Sequence, residues 1–237
     1  MTTNDLIGLA ASYAYAIALI GLAELLRRAA GVPQELTRKL VHVGAGMWVF
    51  GVLALFDHWQ WGVLPFATFI LGNYLFYRYR LFRSMDERDN TPGTVYFAIA
   101  ITLLFGLFWR PGSAGDRAPI AAAGAMALTW GDAIAALAGR RFGQRRYTIA
   151  GETRSWEGSI AMLAVAALAI CLVLALLPGS ALAPLAPQLG PGAILLAGLV
   201  GAAAATLAEA VSPRGTDNLS VPLVAAVATW LVLGLAP

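Results

Sequence analysis

Apolar runs recur eight times along the chain, over about 6–26, 38–56, 60–77, 93–109, 118–138, 158–177, 191–211 and 220–236, and short polar segments separate them. A helix that crosses a bilayer needs roughly 20 mostly apolar residues. Each run therefore predicts a membrane-spanning helix. The second and fourth are short, and seven spans remain if one of them is re-entrant. Inside hydrocarbon every backbone polar group must be paired within the protein, which leaves helices or a closed barrel. No apolar/polar alternation of the kind a barrel strand shows is present. The expected architecture is all-α: one integral membrane domain, 1–237, built as a polytopic bundle of about eight helices. The first run is too long for a cleavable signal, lacks a basic leader and carries Asp5, so it is read as the first helix.

Composition sharpens this. Of the 237 residues 59% are hydrophobic and only 12% charged, against about 25% charged in soluble domains. That excludes an ordinary soluble enzyme and a disordered tail. The net charge of +3 does not indicate a nucleic-acid partner, because the basic residues sit between apolar runs. A single cysteine, Cys171, excludes a disulfide framework and a cysteine zinc site, and two histidines leave little for a histidine-ligated metal.

Charge also orients the chain. Arg27, Arg28, Arg38 and Lys39 follow the first span, Arg78, Arg80, Arg83 and Arg88 the third, Arg140, Arg141, Arg145, Arg146 and Arg154 the fifth, and Arg214 the seventh. Of the 16 basic residues only Arg110 and Arg117 fall in the intervening loops. Basic loops stay in the cytoplasm, so these loops are expected there and both termini outside. The uncharged, Pro-rich Pro178–Gly192 reads as an outer linker. Such a bias by itself only orients a protein or meets anionic lipid heads. What adds to it is that uncommon polar groupings share the same loops.

Four ionisable residues fall inside the spans: Glu24, His42, Asp132 and Glu209. Intramembrane charge is costly and tends to face a bundle interior. Glu24 precedes Arg27 and Arg28 by one turn, and interfacial pairing accounts for it. Asp132 has no basic residue within a turn on either side, and its Ala-rich flanks let neighbouring helices come close. All four lie toward the cytoplasmic ends of their helices, in a layer where a lipid headgroup meets a water-soluble reagent. A transporter would place such groups near the midplane.

Four groupings carry candidate chemistry. Arg38 and Lys39, the chain's one lysine, stand a turn from His42 on a helix. Two cations beside an imidazole suit a phosphate, or else mark a basic stop with a buried histidine. Gly131-Asp132 is followed by Gly139-Arg140-Arg141-Phe142-Gly143, read as a Gly-bounded basic turn whose N–H groups and arginines, with the carboxylate, suit a Mg²⁺–nucleotide. In Thr153–Ser159, Ser155 suits an N-cap with Glu157 in the first turn. The alternative is a phosphate at that helix N-terminus beside Arg154, Ser155 and Gly158, with Glu157 as metal ligand or base. Last, Glu209, Asp217 and Asn218 are hard oxygen donors suited to Mg²⁺, in a stretch that also reads as a polar turn. A fifth, minor grouping, Arg88–Thr94, reads as the cap of the fourth helix.

These motifs are Arg38-Lys39-x-x-His42, Gly131-Asp132 leading to Gly139–Gly143, Ser155-x-Glu157-Gly158-Ser159, and Glu209 followed by Gly215-Thr216-Asp217-Asn218 and Pro222. Their order and spacing resemble the membrane prenol kinases, which include phytol, farnesol and dolichol kinases and the related CTP-dependent diacylglycerol kinase. The similarity runs from about Leu36 to Pro222, and the short chain is most like phytol kinase. The family has Lys-Ser where this chain has Arg154-Ser155, which keeps the charge and alters the geometry.

The resemblance implies phosphoryl transfer from CTP or another nucleoside triphosphate to the hydroxyl of an isoprenoid alcohol, with Mg²⁺. On that reading Asp132, His42 and Glu157 are the catalytic candidates. Arg38, Lys39, Gly131, Gly139, Arg140, Arg141, Gly143, Arg154, Ser155, Gly158 and Asn218 hold nucleotide or substrate, and Asp132, Glu209 and Asp217 bind metal. The partners are the nucleotide, a lipid alcohol and membrane lipids, in a bacterial inner membrane suggested by the heavy use of Ala and of Arg over Lys. The rival readings are a lipid cytidylyltransferase, a diacylglycerol kinase and a non-enzymatic transporter.

Overall fold

The computed structural model describes residues 1–79, 91–213 and 215–235. Arg80, Arg83, Arg88, Asp89, Asn90 and Arg214, which figure in the charge bias and in two of the groupings, lie outside the described residues. Eight helices are present among those described: α1 Thr3–Ala29, α2 Gln34–Leu55, α3 Trp59–Tyr79, α4 Gly93–Phe108, α5 Ala118–Phe142, α6 Trp156–Leu176, α7 Pro191–Val211 and α8 Asp217–Leu235. Six of them are long and apolar enough to cross a membrane, and α4 is a shorter apolar helix. The all-α bundle expected from the apolar runs is what the chain forms. Several helix ends, among them both ends of α1 and the starts of α2, α6 and α8, move outward from the runs because the flanking turns are helical without being apolar. The clearest case is α5, which continues to Phe142 and places Asp132 ten residues, roughly 15 Å, from its end.

α5 is the axis of the bundle. Nearly every residue from Ala118 to Thr129 is buried, because alanine and glycine let α2, α4, α6 and α8 approach it on all sides. A Cβ at Gly124 would stand 2.5 Å from the carbonyl oxygen of Pro222 in α8. Gly131 meets α6, and a Cβ there would stand 2.6 Å from Met162 Sδ. Gly131 is therefore a packing residue, not the nucleotide contact expected of it.

The helices alternate in direction, so the segments after α1, α5 and α7 share one end of the bundle and those after α2, α4 and α6 the other. At the second end Asp5 latches α1 to the turn between α2 and α3. Its fully buried carboxylate accepts from the backbone N–H groups of Thr2 (2.7 Å), Asp57 (3.1 Å) and His58 (3.2 Å), and meets His58 Nδ1 at 2.8 Å. Hydrogen bonds from Thr2 and Asn4 hold the Asp57 carboxyl below the usual carboxylate range. Asp5→Ala strands these buried donors and is expected to destabilise the protein by about 3 kcal/mol, read as a lower thermal unfolding midpoint in detergent.

Two connections hold more structure than the sequence reading assigned them. The basic stretch between α5 and α6 forms an antiparallel hairpin, β1 Arg146–Ile149 and β2 Glu152–Ser155, turned at Ala150 (φ 53°) and Gly151 (φ 84°). Lying between spans, it escapes the hydrocarbon rule that forbids open strand edges. The Pro-rich stretch after α6, read as a linker, packs on the core. Gly179 N donates to Ala183 O at 3.0 Å, and Ala183 and Ala186 are buried against the core. The start of α4 has no side-chain cap at Pro92, so the capping expected of Arg88–Thr94 finds no support in its described part.

Candidate active site

Helices α2 and α5 cross where Gly46 packs on Thr129, with no space for a side chain between them. That close approach brings Lys39 and His42, one turn apart on α2, against Asp132 on α5. Lys39 Nζ donates to Asp132 Oδ2 at 2.5 Å, and His42 Nε2 stands 3.6 Å from the same oxygen. His42 Nε2 is buried without a hydrogen-bond partner, while its ring packs on Phe97 of α4 with centroids 5.7 Å apart. Asp132 is therefore not the isolated carboxylate its neighbours in sequence suggest. Its counter-charge comes from 93 residues away.

These groups line one cavity of about 260 Å³, together with Arg38, Asp217 and Asn218. The cavity has two characters. Its head holds two cations, two carboxylates and the imidazole. Its body, between α1, α2, α3 and α4, is apolar and aromatic, with Tyr15, Leu19, Trp48, Phe66 and Phe97 among its walls. A charged head over an apolar body matches a ligand with a polar end and a hydrocarbon tail.

A second cluster adjoins the head. Arg154 of β2 reaches α7 and α8 with both arms of its guanidinium. One nitrogen pairs with Glu209, and the other donates to Ser212 O at 3.1 Å and stands 3.7 Å from Asp217 Oδ2. Asp217 thus belongs to both the cavity and this clamp.

A phytol kinase of Synechocystis sp. is 36% identical to this chain over 232 residues, which take in 94% of this chain and 90% of the relative. The chain belongs to the membrane prenol kinase family. A probable phytol kinase of Oryza sativa subsp. japonica is 31% identical over 172 residues, 67% of this chain and 54% of that longer one. A farnesol kinase of Arabidopsis thaliana is 28% identical over 215 residues, 84% of this chain and 66% of its own. No family model and no solved structure matches the chain.

In this membrane kinase the expected site residues divide. Arg38, Lys39, His42, Asp132, Asp217 and Asn218 converge on the cavity. The others do not line it. Glu157 turns away: its Oε1 accepts from Arg145 N at 3.2 Å and fastens the hairpin to α6. Ser155 caps α6, accepting from Gly158 N at 3.1 Å, as its position predicts. The expected Gly-bounded basic turn is instead the last turn of α5, and Gly143 has an ordinary φ of −65°. Its glycines serve packing, since a Cβ on Gly139 would stand 3.0 Å from Ser155 Oγ and one on Gly143 2.9 Å from the same atom, and Gly158 of α6 packs likewise, its Cβ position lying 3.1 Å from Ala135 O. Arg140 pairs with Glu35 of α2, and Arg141 lies 6.0 Å over the ring of Phe142. Glu24 pairs with Arg27 and Arg28, as its spacing predicts.

The kinase's apolar wall escaped sequence reasoning. Ser12 and Tyr15 of α1 and Asn73 of α3 are polar positions in apolar runs that were passed over. Asn73 Nδ2 donates to Thr94 O at 3.0 Å and ties α3 to α4 beside the cavity. Ser12 and Tyr15 lie three residues apart on one face of α1, which was the available signal.

Proposed function

We propose that this chain transfers the terminal phosphoryl group of a nucleoside triphosphate, CTP in the first instance, to the primary hydroxyl of an isoprenoid alcohol such as phytol, farnesol or geranylgeraniol. The observation that carries the reading is the two-part cavity: a charged head containing His42, Asp132 and Lys39 above an apolar body. Membership of a kinase family whose relatives bear the names phytol kinase and farnesol kinase supports it. The concentration of basic residues in the loops at the motif end supports a cytoplasmic position for that end, where a nucleotide arrives from water while the tail enters from lipid.

Phosphoryl transfer depends on positioning and charge neutralisation more than on covalent chemistry. With the tail in the apolar body, the hydroxyl rises to the level of His42. The unpartnered Nε2 accepts its hydrogen bond, and Asp132 beside it stabilises the ring as the proton moves onto Nε2. The alcohol oxygen forms a bond to the terminal phosphorus as the bond to the bridging oxygen breaks, and a nucleoside diphosphate leaves. Arg38 and Lys39 meet the phosphates as cations.

Mg²⁺ in phosphoryl-transfer sites takes one or two carboxylates plus substrate phosphate oxygens. The donor set fits that pattern: Asp132 and Asp217 both face the cavity with Asn218 beside them. Among the described residues no three His, Cys, Asp or Glu side chains form a ready-made cage. Glu209, turned to Arg154, drops out of the proposed ligands. When bound, the ion neutralises charge developing on the phosphates.

The test is product analysis. Purified protein, incubated with terminally labelled CTP or ATP and a panel of phytol, farnesol, geranylgeraniol and diacylglycerol, is expected to yield prenyl monophosphate and nucleoside diphosphate. Release of pyrophosphate would identify a cytidylyltransferase and sink the proposal, and labelled diacylglycerol alone would move the acceptor.

A further inference from the structure

The floor of the apolar body is a constructed feature. Going away from the charged head, the deepest lining residues on the four walls are Ser12 of α1, Trp48 of α2, Phe66 of α3 and Ala98 of α4. The Trp48 and Tyr15 rings stack with centroids 4.3 Å apart and planes 15° from parallel. Trp48 Nε1 donates to Ser12 Oγ at 3.1 Å, and Ser12 Oγ donates onward to Gly8 O at 2.8 Å. Tyr15 OH donates to Gly44 O at 2.9 Å. Turning either ring aside would strand polar groups in apolar surroundings, which is costly. Beneath the floor the interior is filled by Val52, Ile101 and Phe105, all fully buried. From Arg38 at the head to Trp48 at the floor the cavity runs ten residues of α2, roughly 15 Å.

We infer that the Trp48–Tyr15–Ser12 plate is the chain-length ruler of this enzyme: it stops the distal end of the isoprenoid tail and so selects which alcohol can bring its hydroxyl to His42. The inference rests on the kinase reading and adds the residues that set its specificity. Trp48 touches the tail only and takes no part in the chemistry at the head. A hydrocarbon pocket discriminates by roughly 10–200-fold for one methylene of misfit, so a rigid floor suffices to separate a farnesyl from a phytyl tail.

The experiment compares kcat/KM for phytol and farnesol within each variant. Taking the ratio inside one preparation cancels any loss of folded protein. Trp48→Ala, which opens the floor, is expected to raise the phytol-to-farnesol ratio at least about tenfold. Ala16→Leu, which fills the cavity wall from the outlying α1, is expected to lower it by a similar factor and remains informative if the tryptophan variant does not fold. Unchanged ratios in active variants overturn the ruler and leave the kinase reading standing. If the wild type phosphorylates no alcohol, the kinase reading fails. The same ratio is then taken from dissociation constants measured by thermal stabilisation with each alcohol, and an unchanged ratio there overturns the ruler on its own.

Discussion

Asp132→Asn is expected to lower kcat/KM for alcohol phosphorylation about a thousandfold or more while the protein stays folded and inserted, with a lowered unfolding midpoint because Lys39 is left without its counter-charge. The substitution keeps the shape of the side chain and removes its charge. Three consequences converge. Lys39, 2.5 Å away, loses its counter-ion. The His42 ring, 3.6 Å away, loses the anion that stabilises its protonated form. One of the two carboxylates facing the cavity is lost as a ligand for the proposed metal ion. Size-exclusion profile and thermal midpoint in detergent check the fold, and labelled phosphoryl transfer checks the activity. Near-normal turnover would remove Asp132 from the mechanism. Lys39→Met adds a second arm: because Lys39 and Asp132 share one ion pair, the double variant is expected to lose far less than the product of the two single losses.

How the chain arrives at that pair shows which information sits along the sequence and which does not. All eight helices are legible, since each carries its own run of apolar side chains, and six of them are long and apolar enough to cross a membrane. Local pairs are equally legible. Glu24 meets Arg27 and Arg28 one turn away, and Ser155 caps the helix it precedes. The pairing of Lys39 with Asp132 depends instead on where Gly46 meets Thr129, a register between two helices that no window on one helix contains. The glycines around Arg140 and Arg141 mislead for a related reason. Glycine permits a phosphate-cradling turn and also permits close helix packing, and only the neighbour across the gap, here Ser155, decides between them. The hairpin is short, polar and half exposed, so it leaves no hydrophobic period to detect.

Arg154 tests the same lesson on the second cluster. From sequence it is a phosphate ligand. In the structure it is the clamp that neutralises Glu209 and stands beside Asp217, with only 8% and 17% of those side chains exposed. Removing one partner of a buried ion pair leaves an uncompensated charge, at a cost of about 3–5 kcal/mol. Arg154→Met is accordingly expected to lower the unfolding midpoint in detergent sharply, and adding Glu209→Gln is expected to recover part of the loss. Arg154→Lys distinguishes charge from fork geometry. A lysine presents one ammonium where the guanidinium presents two separated nitrogens, so it can keep Glu209 or reach Ser212 O and Asp217, not both. Its midpoint is expected between wild type and the methionine variant, and its KM for nucleotide is expected to rise if Asp217 shifts in the cavity head. A methionine variant with a wild-type midpoint and a raised nucleotide KM would return Arg154 to the phosphate-binding role and remove the clamp from the account of stability.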